Sequence, residues 1–252
     1  MRPIYLSSYE HGSLDERIGR LFRILEDCTL CPRKCGVDRL RGEKGYCRSG
    51  KELVVSSFGP HFGEEEPLVG TGGSGTIFLT NCNLLCIYCQ NYEISHLGHG
   101  TPESEKRVAE YMISLQKRGC HNINFVTPTH FTPQLVKAIE IAIPQGLHIP
   151  VVWNCGGYEN VETIGLLDGI VDIYMPDIKY GSVDSARKYS NAPDYFERCK
   201  EAVREMHRQV GDLAIEDGVA ERGLLIRHLV LPNDAAGSRE VLKFIAEEIS
   251  KN

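Results

Sequence analysis

The sequence predicts an α/β fold, a partial open (β/α) barrel, on three observations. From residue 76 onward, strand-like apolar runs alternate with helix-length stretches, the signature of βαβ units and a mostly parallel sheet. Five βα units are countable, and no sixth strand can be counted after them. The first 75 of the 252 residues have a different, turn-rich and charged texture. A full eight-unit barrel takes about 250 residues, so this one is expected to stay open. That leaves either an exposed fifth-strand edge that something must cover or a shortened version of a longer protein. The division is therefore 1–75, an N-terminal cysteine-rich metal-binding segment, and 76–252, the strand–helix part.

In chain order, Leu14 to Glu26 reads as a helix, with Leu14, Ile18, Leu21, Phe22 and Leu25 on one face. The stretch through Pro32, Gly36, Gly42 and Gly45 is too broken for regular structure. A short strand, Leu53–Ser57, and a loop, Gly59–Gly75, follow. The strand-like runs are Thr76–Thr80, Asn122–Thr127, Ile149–Asn154, Val171–Pro176 and Leu224–Leu231. Helices are expected at Pro102–Lys117, Pro133–Ile143, Asn160–Leu167, Ser182–Ser190, Pro193–Gln209 and Ser238–Ser250. The run Gly70-Thr71-Gly72-Gly73-Ser74-Gly75 contains G-x-G-x-x-G, but it precedes a strand, whereas a dinucleotide fingerprint follows one. It reads as a flexible lead-in to the repeated part. Just before it lies the charged loop His61–Glu66, in which Glu64 or Glu65 is a candidate for the substrate side, against the commoner reading of a solvated face.

A net charge of −6 argues against nucleic acid as the main partner. No apolar run is long enough to span a bilayer, and the N-terminus lacks the apolar core of a signal peptide, so a cytoplasmic location is expected. In a reducing compartment ten cysteines point to metal rather than to disulfides. Seven of them fall in two groups, Cys28-x2-Cys31-x3-Cys35 with Cys47, and Cys82-x3-Cys86-x2-Cys89; Cys120, Cys155 and Cys199 are scattered. The first group supplies four thiolates and reads as a closed site for Zn²⁺ or a second, auxiliary [4Fe–4S] cluster. The second supplies three thiolates on one loop after a strand. It reads as a [4Fe–4S] cluster with one iron left open, against buried thiols or a zinc site completed by a histidine.

The spacing C-x3-C-x2-C with Tyr88 before the last cysteine resembles the radical SAM superfamily. The run from Gly75 to Tyr92 is similar to activating enzymes of glycyl radical enzymes, and more narrowly to pyruvate formate-lyase activating enzyme-like iron–sulfur proteins. The resemblance extends from about residue 20 to the end. It implies the partial barrel of the radical SAM type and binding of S-adenosylmethionine (SAM) at the open iron. It also implies reductive cleavage of SAM to methionine and a 5′-deoxyadenosyl radical that abstracts hydrogen from substrate. On this resemblance Tyr88 approaches the adenine. Met175-Pro176-Asp177-Ile178-Lys179 matches a motif in which Asp177 helps hold a monovalent cation and Lys179 lies near the methionyl carboxylate. Asn154, before Cys155-Gly156-Gly157, stands where the family has aspartate, and Arg227 lies on the strand that lines the adenine and ribose. The family's G-G-E motif is replaced by Thr127-Pro128-Thr129-His130, so no carboxylate is expected there. The SAM amino group would fall to carbonyls or to Thr127 and Thr129, with His130 a candidate acid–base or substrate residue.

The function implied is a radical SAM oxidoreductase that activates a glycyl radical enzyme, with a flavodoxin- or ferredoxin-type electron donor. Two rivals stand beside it: hydrogen abstraction from a small molecule or another peptide, and a non-catalytic iron–sulfur or zinc electron carrier or binding module.

Overall fold

The computed structural model describes residues 1–251. Eight strands form one sheet: β1 (Leu53–His61), β2 (Ser74–Leu79), β3 (Thr101–Glu103), β4 (Ile123–Val126), β5 (Val151–Cys155), β6 (Ile173–Pro176), β7 (Ala214–Glu216) and β8 (Val219–Leu224). Their spatial order is β3-β1-β2-β4-β5-β6-β8-β7. The five strands β2, β4, β5, β6 and β8 run parallel, while β1, β3 and β7 join antiparallel. The helices are α1 (Ile4–Glu10), α2 (Ser13–Arg23), α3 (Glu66–Val69), α4 (Tyr92–Ser95), α5 (Glu105–Lys117), α6 (Thr132–Ala142), α7 (Val161–Leu166), α8 (Val183–Ser190), α9 (Tyr195–Val210) and α10 (Ser238–Phe244).

Local chemistry accounts for the helix starts. Ser104, Asn160 and Ser182 each accept a hydrogen bond from the first turn of α5, α7 and α8. β4, β5 and β6 are buried along their whole length, which is why they read as mainly apolar runs, with Asn124 and Asn154 as the amide exceptions. Alternate residues face opposite ways. Ile77, Leu79, Ile123, Phe125, Val151, Trp153 and Tyr174 join the large core with α2, α5, α6 and α9. Val152, Ile173 and Met175 point to the other face, where Leu68 of α3 covers them. On that second face, at the carboxyl ends of the parallel strands, lie Val126, Asn154 and Asp177.

Three expected elements shift. β1 is longer than Leu53–Ser57 and is bonded to β2 beyond a bulge between Val55 and Ser57. Thr101–Glu103 is not the start of a helix but a strand on the outer edge of β1, and the helix begins only after the Ser104 cap. The fifth parallel strand is Val219–Leu224, earlier than Leu224–Leu231, because it meets β6 at Ile173↔Gly223 and Tyr174↔Leu224. Beyond it the chain stays alongside β6, with the Leu225 and Arg227 N–H groups donating to the Tyr174 and Pro176 carbonyls and a bridge at Asp177↔Arg227. β7 covers the outer edge of β8. The stretch 70–75 is packed rather than loose, a turn leading into β2 at Ser74: a Cβ on Gly72 would stand 1.9 Å from the Gly119 carbonyl oxygen. The N-terminal helices share the large core through Tyr5, Leu14, Ile18, Leu21 and Leu25. No helix among the described residues is long and apolar enough to cross a membrane.

Candidate active site

The loop after β2 carries Cys82, Cys86 and Cys89. Two non-glycine residues of it, Asn81 (φ 65°) and Leu85 (φ 52°), adopt the left-handed region, a conformation that costs energy and is retained where surrounding contacts enforce it. Each of the three sulfurs accepts a hydrogen bond. Cys82 Sγ takes the Leu84 N–H at 3.3 Å, Cys86 Sγ the Ser190 hydroxyl at 3.0 Å, and Cys89 Sγ the Ser95 hydroxyl at 3.2 Å. Donors aimed at sulfur favour thiolate, the form that binds iron. Burial pushes the bare Cys82 thiol up to about 11, with Cys86 adding to it, so metal uptake must release protons. Among the described residues no three His, Cys, Asp or Glu side chains are set to hold a single metal ion. The chemistry of this donor set, three hydrogen-bonded sulfurs on one loop, fits a cluster that takes one thiolate per iron.

The loop walls a cavity of about 420 Å³ at the carboxyl ends of the parallel strands. Across it stand Asn154, Asp177, Lys179, Arg227 and Glu64. Lys179 Nζ donates to Asp177 Oδ2 at 2.7 Å, and Arg227 Nε donates to Asp177 Oδ1 at 2.8 Å. Arg227 Nη2 also donates to Asn154 Oδ1 at 2.7 Å. Glu64 arrives from the loop after β1, 3.4 Å from both Asn154 Nδ2 and Arg227 Nη1. Burial raises the Asp177 carboxyl, but Lys179 and Arg227 outweigh it and hold the group below its usual range. Burial opposes the Lys179 charge, and Asp177 more than restores it. Burial lifts Glu64 above the usual carboxylate range, opposed by Arg227. The two residues assigned to a monovalent cation or its vicinity, Asp177 and Asn154, are thus both bonded to the Arg227 guanidinium.

Tyr88 and Thr127 also line this cavity. The Tyr88 hydroxyl donates to Tyr180 at 2.6 Å, and Tyr180 Oη lies 2.8 Å from Ser190 Oγ, so a chain of hydroxyls ends on the Cys86 sulfur. Burial pushes the Tyr88 phenol up to about 12, which keeps it a donor. Thr127, at the end of β4, is left-handed (φ 61°), an outlier for a β-branched residue.

Thr129, His130 and Glu65 are not brought to the cavity. Thr129 is buried and donates to Glu159 Oε1 at 2.6 Å. His130 is buried with Nε2 2.7 Å from the Thr80 carbonyl, and burial lowers its pKa to about 3, so the ring is neutral. Glu65 precedes α3 and is exposed. No carboxylate directly follows β4, and Glu64 reaches the cavity wall from the loop after β1. Sequence reasoning missed Ser95, Ser190, Tyr180 and Leu229; none has a local motif, because each is brought in by the fold. A larger cavity of about 820 Å³, lined among others by Thr71, His121 and Asp217, lies at the amino ends of the strands and shares only Glu64 with this site.

In the N-terminal segment Cys28, Cys31 and Cys47 are buried and Cys35 is half-buried. The Tyr46 N–H donates to Cys35 Sγ at 3.3 Å. A Cβ on Gly45 would lie 2.7 Å from that sulfur, so only glycine lets the chain pass there. The buried Arg39 guanidinium has Nη1 3.9 Å from Cys28 Sγ. Burial raises Cys47, with Arg39 opposing. A cation and an amide aimed at sulfurs suit a thiolate metal site.

A thiol triad held for anionic sulfur at the carboxyl ends of parallel strands suits an iron–sulfur α/β protein. A family model described as the radical SAM superfamily matches residues 76–217, and the chain belongs to that superfamily. The uncharacterized protein MJ0674 of Methanocaldococcus jannaschii is 32% identical over 244 residues, 94% of this chain and 66% of its own length. The uncharacterized protein MJ0808 of the same organism is 25% identical over 195 residues, 70% of this chain and 56% of its own. The chain thus spans just under two thirds of the first relative and a little over half of the second.

Proposed function

We propose that this protein is a radical SAM enzyme that cleaves SAM reductively at a [4Fe–4S] cluster on Cys82, Cys86 and Cys89. The observation that carries the reading is the cavity with three hydrogen-bonded sulfurs on one wall and the Lys179–Asp177–Arg227 array on the other. When bound, the cluster supplies the electron that splits SAM into methionine and a 5′-deoxyadenosyl radical, chemistry that belongs to the cofactor. The chain's own residues bind and orient. Lys179 and Arg227 take the methionyl carboxylate, charges suited to pairing in a partly buried site. Glu64, with the Thr127 carbonyl and hydroxyl, takes the amino group. The Tyr88 ring, fixed through Tyr180, sides the adenine.

For the hydrogen donor we propose a glycine Cα–H in a protein chain, as in activation of a glycyl radical enzyme. Its support is the apolar character of the surface around the cavity: Ile87, Tyr92, Leu229 and Val230, which line it or adjoin residues that do, are all exposed. Exposed apolar groups gathered at one place suit a macromolecular surface more than a small polar molecule. A flavodoxin- or ferredoxin-type donor would supply the electron.

The test is anaerobic reconstitution with dithionite and SAM, scoring 5′-deoxyadenosine. Cys82→Ala, Cys86→Ala and Cys89→Ala are each expected to abolish it. Cleavage that survives these substitutions would sink the assignment. A glycyl doublet in the electron paramagnetic resonance (EPR) spectrum of a candidate partner supports the finer reading. Hydrogen abstraction from a small molecule without such a doublet overturns that finer reading alone.

A further inference from the structure

The two cysteine groups, which lie 35 residues apart between Cys47 and Cys82 in the chain, are tied together by two arginines. Arg33 sits between Cys31 and Cys35, and Arg48 follows Cys47. Arg48 Nη2 donates to the Ser95 carbonyl at 2.9 Å, and the Ser95 hydroxyl donates to Cys89 Sγ. Arg33 Nη2 donates to the Ser190 carbonyl at 2.8 Å, and the Ser190 hydroxyl donates to Cys86 Sγ. Arg33 Nε donates to the Asn83 carbonyl at 3.0 Å, and the amide across that same peptide, Leu84 N–H, donates to Cys82 Sγ. Arg33 Nη1 adds a bond to the Asn191 carbonyl. Each of these three donors, one to each sulfur of the Cys82–Cys89 loop, is therefore held from behind by an arginine of the four-cysteine segment; the Leu85 N–H adds a further backbone donor to Cys82.

The arginines in turn depend on how that segment is folded. The Arg33 guanidinium lies 3.8 Å from the Tyr46 ring centroid and 5.2 Å from that of Tyr158, a slot that closes only when Tyr46 is in place. Arg48 is left-handed (φ 58°), and its N–H donates to the Gly45 carbonyl at 2.9 Å. Asn81, the residue before Cys82, donates to Ser49 Oγ at 3.2 Å, a third tie to the same segment.

We propose that Arg33 and Arg48 are positioning residues through which the closed four-cysteine segment sets the hydrogen bonds to all three sulfurs, and so the reduction potential, of the cluster on Cys82, Cys86 and Cys89. The inference rests on the cluster assignment above. Groups that orient ligands tune the metal they hold, and hydrogen bonds to cluster sulfurs move the potential. The direction follows from charge: donors stabilise the reduced cluster, whose sulfurs are more negative. Loosening them moves the potential to more negative values.

The experiment is a potentiometric titration of the reconstituted full chain, read by EPR, with iron per chain and far-ultraviolet circular dichroism as controls. Arg48→Met and Arg33→Met are expected to shift the midpoint to more negative potentials, and Arg33→Lys to regain part of the shift, because lysine donates without the fork. Ser95→Ala is expected to shift it as well, and Arg48→Met added to Ser95→Ala to shift it no further, since the arginine acts through that serine. Fully additive shifts in that pair, or an unmoved midpoint in folded arginine variants, overturn the inference. Ser95→Ala and Ser190→Ala remove only the hydroxyls and leave Arg48 and Arg33 their backbone carbonyls. An unmoved midpoint in both overturns it even where the arginine variants fail to fold. Wild-type protein that takes up no iron on the Cys82–Cys89 loop overturns the cluster assignment itself, a different failure from a cluster whose potential ignores these residues.

Discussion

Asp177 is the residue on which the cavity's charges converge. One oxygen accepts from Lys179 and the other from Arg227, which also holds Asn154 Oδ1. A guanidinium in that place performs the neutralisation that a bound monovalent ion would otherwise perform, and it is tethered by its own chain. We therefore expect SAM affinity in the reconstituted protein to be indifferent to replacing potassium by choline at constant ionic strength. Arg227→Ala is expected to weaken SAM binding roughly 10- to 100-fold, the equivalent of a charged hydrogen bond of ~1.5–3 kcal/mol. It should also make affinity potassium-dependent, because Asp177 and Asn154 are then left to a solvent cation. Equilibrium binding of SAM in the two salts decides it, and wild-type affinity that falls in choline overturns it. Asp177, Lys179 and Arg227 were legible through the resemblance, on the run Met175–Lys179 and on the stretch matched to the fifth strand. Glu64 was named only as one of two candidates, Glu64 or Glu65; nothing local marks which of them turns inward, and its partners Asn154 and Arg227 are 90 and 163 residues away.

At the scale of elements, the parallel strands β2, β4, β5 and β6 were readable because burial on both faces leaves short runs that are mainly apolar, interrupted by residues such as Thr76 and Asn124. β8 was not, since Val219-Ala220-Glu221-Arg222 carries charge along an edge that β7 covers. The turn at residues 70–75 was misjudged because its constraint, the Gly119 backbone, comes from a distant loop. Asp172, just ahead of β6, is another link that sequence hides. Its two oxygens accept the Ile4 N–H at 2.7 Å and the Val151 N–H at 2.8 Å, pinning the first turn of α1 to the start of β5. Burial pushes its carboxyl up to about 7 from 3.8, against those two hydrogen bonds. Between those two values the folded state binds more protons than the unfolded one. Stability from this group is therefore greatest in acid and declines as pH rises toward about 7. The slope is at most about 1.4 kcal/mol per pH unit, and above about 7 it vanishes. Urea denaturation at a series of pH values is expected to give wild type a steeper decline over that range than Asp172→Asn. Parallel curves for the two proteins would remove Asp172 as its source.

For the whole molecule, the question is whether the four-cysteine segment folds on its own account or through its metal. It contributes few apolar residues: Leu30 is buried, and Val37 and Leu40 only pack against the core. What closes it is polar, namely Arg39 on the Gly50 carbonyl, Tyr46 N–H on Cys35 and the Arg33 slot. We expect a segment so poor in apolar area to take its order from a bound metal, and its arginines to reach the other loop only when it is ordered. Metal counts should therefore be coupled. Anaerobic reconstitution with iron, sulfide and zinc is expected to yield about eight irons per chain, or about four irons and one zinc, depending on the metal at Cys28, Cys31, Cys35 and Cys47. Cys28→Ser combined with Cys47→Ser should lose the metal of that site and, in addition, lower the occupancy of the cluster on Cys82, Cys86 and Cys89, although no ligand of that cluster has changed. The reverse need not hold. Cys82→Ala leaves Arg33 and Arg48 their backbone carbonyls at Ser190 and Ser95, so the first site should keep its full metal. Inductively coupled plasma counts on the two variants read this asymmetry directly. Loss confined to the first site in the serine double variant would mean that the segment keeps its fold, and its hold on the radical loop, without metal.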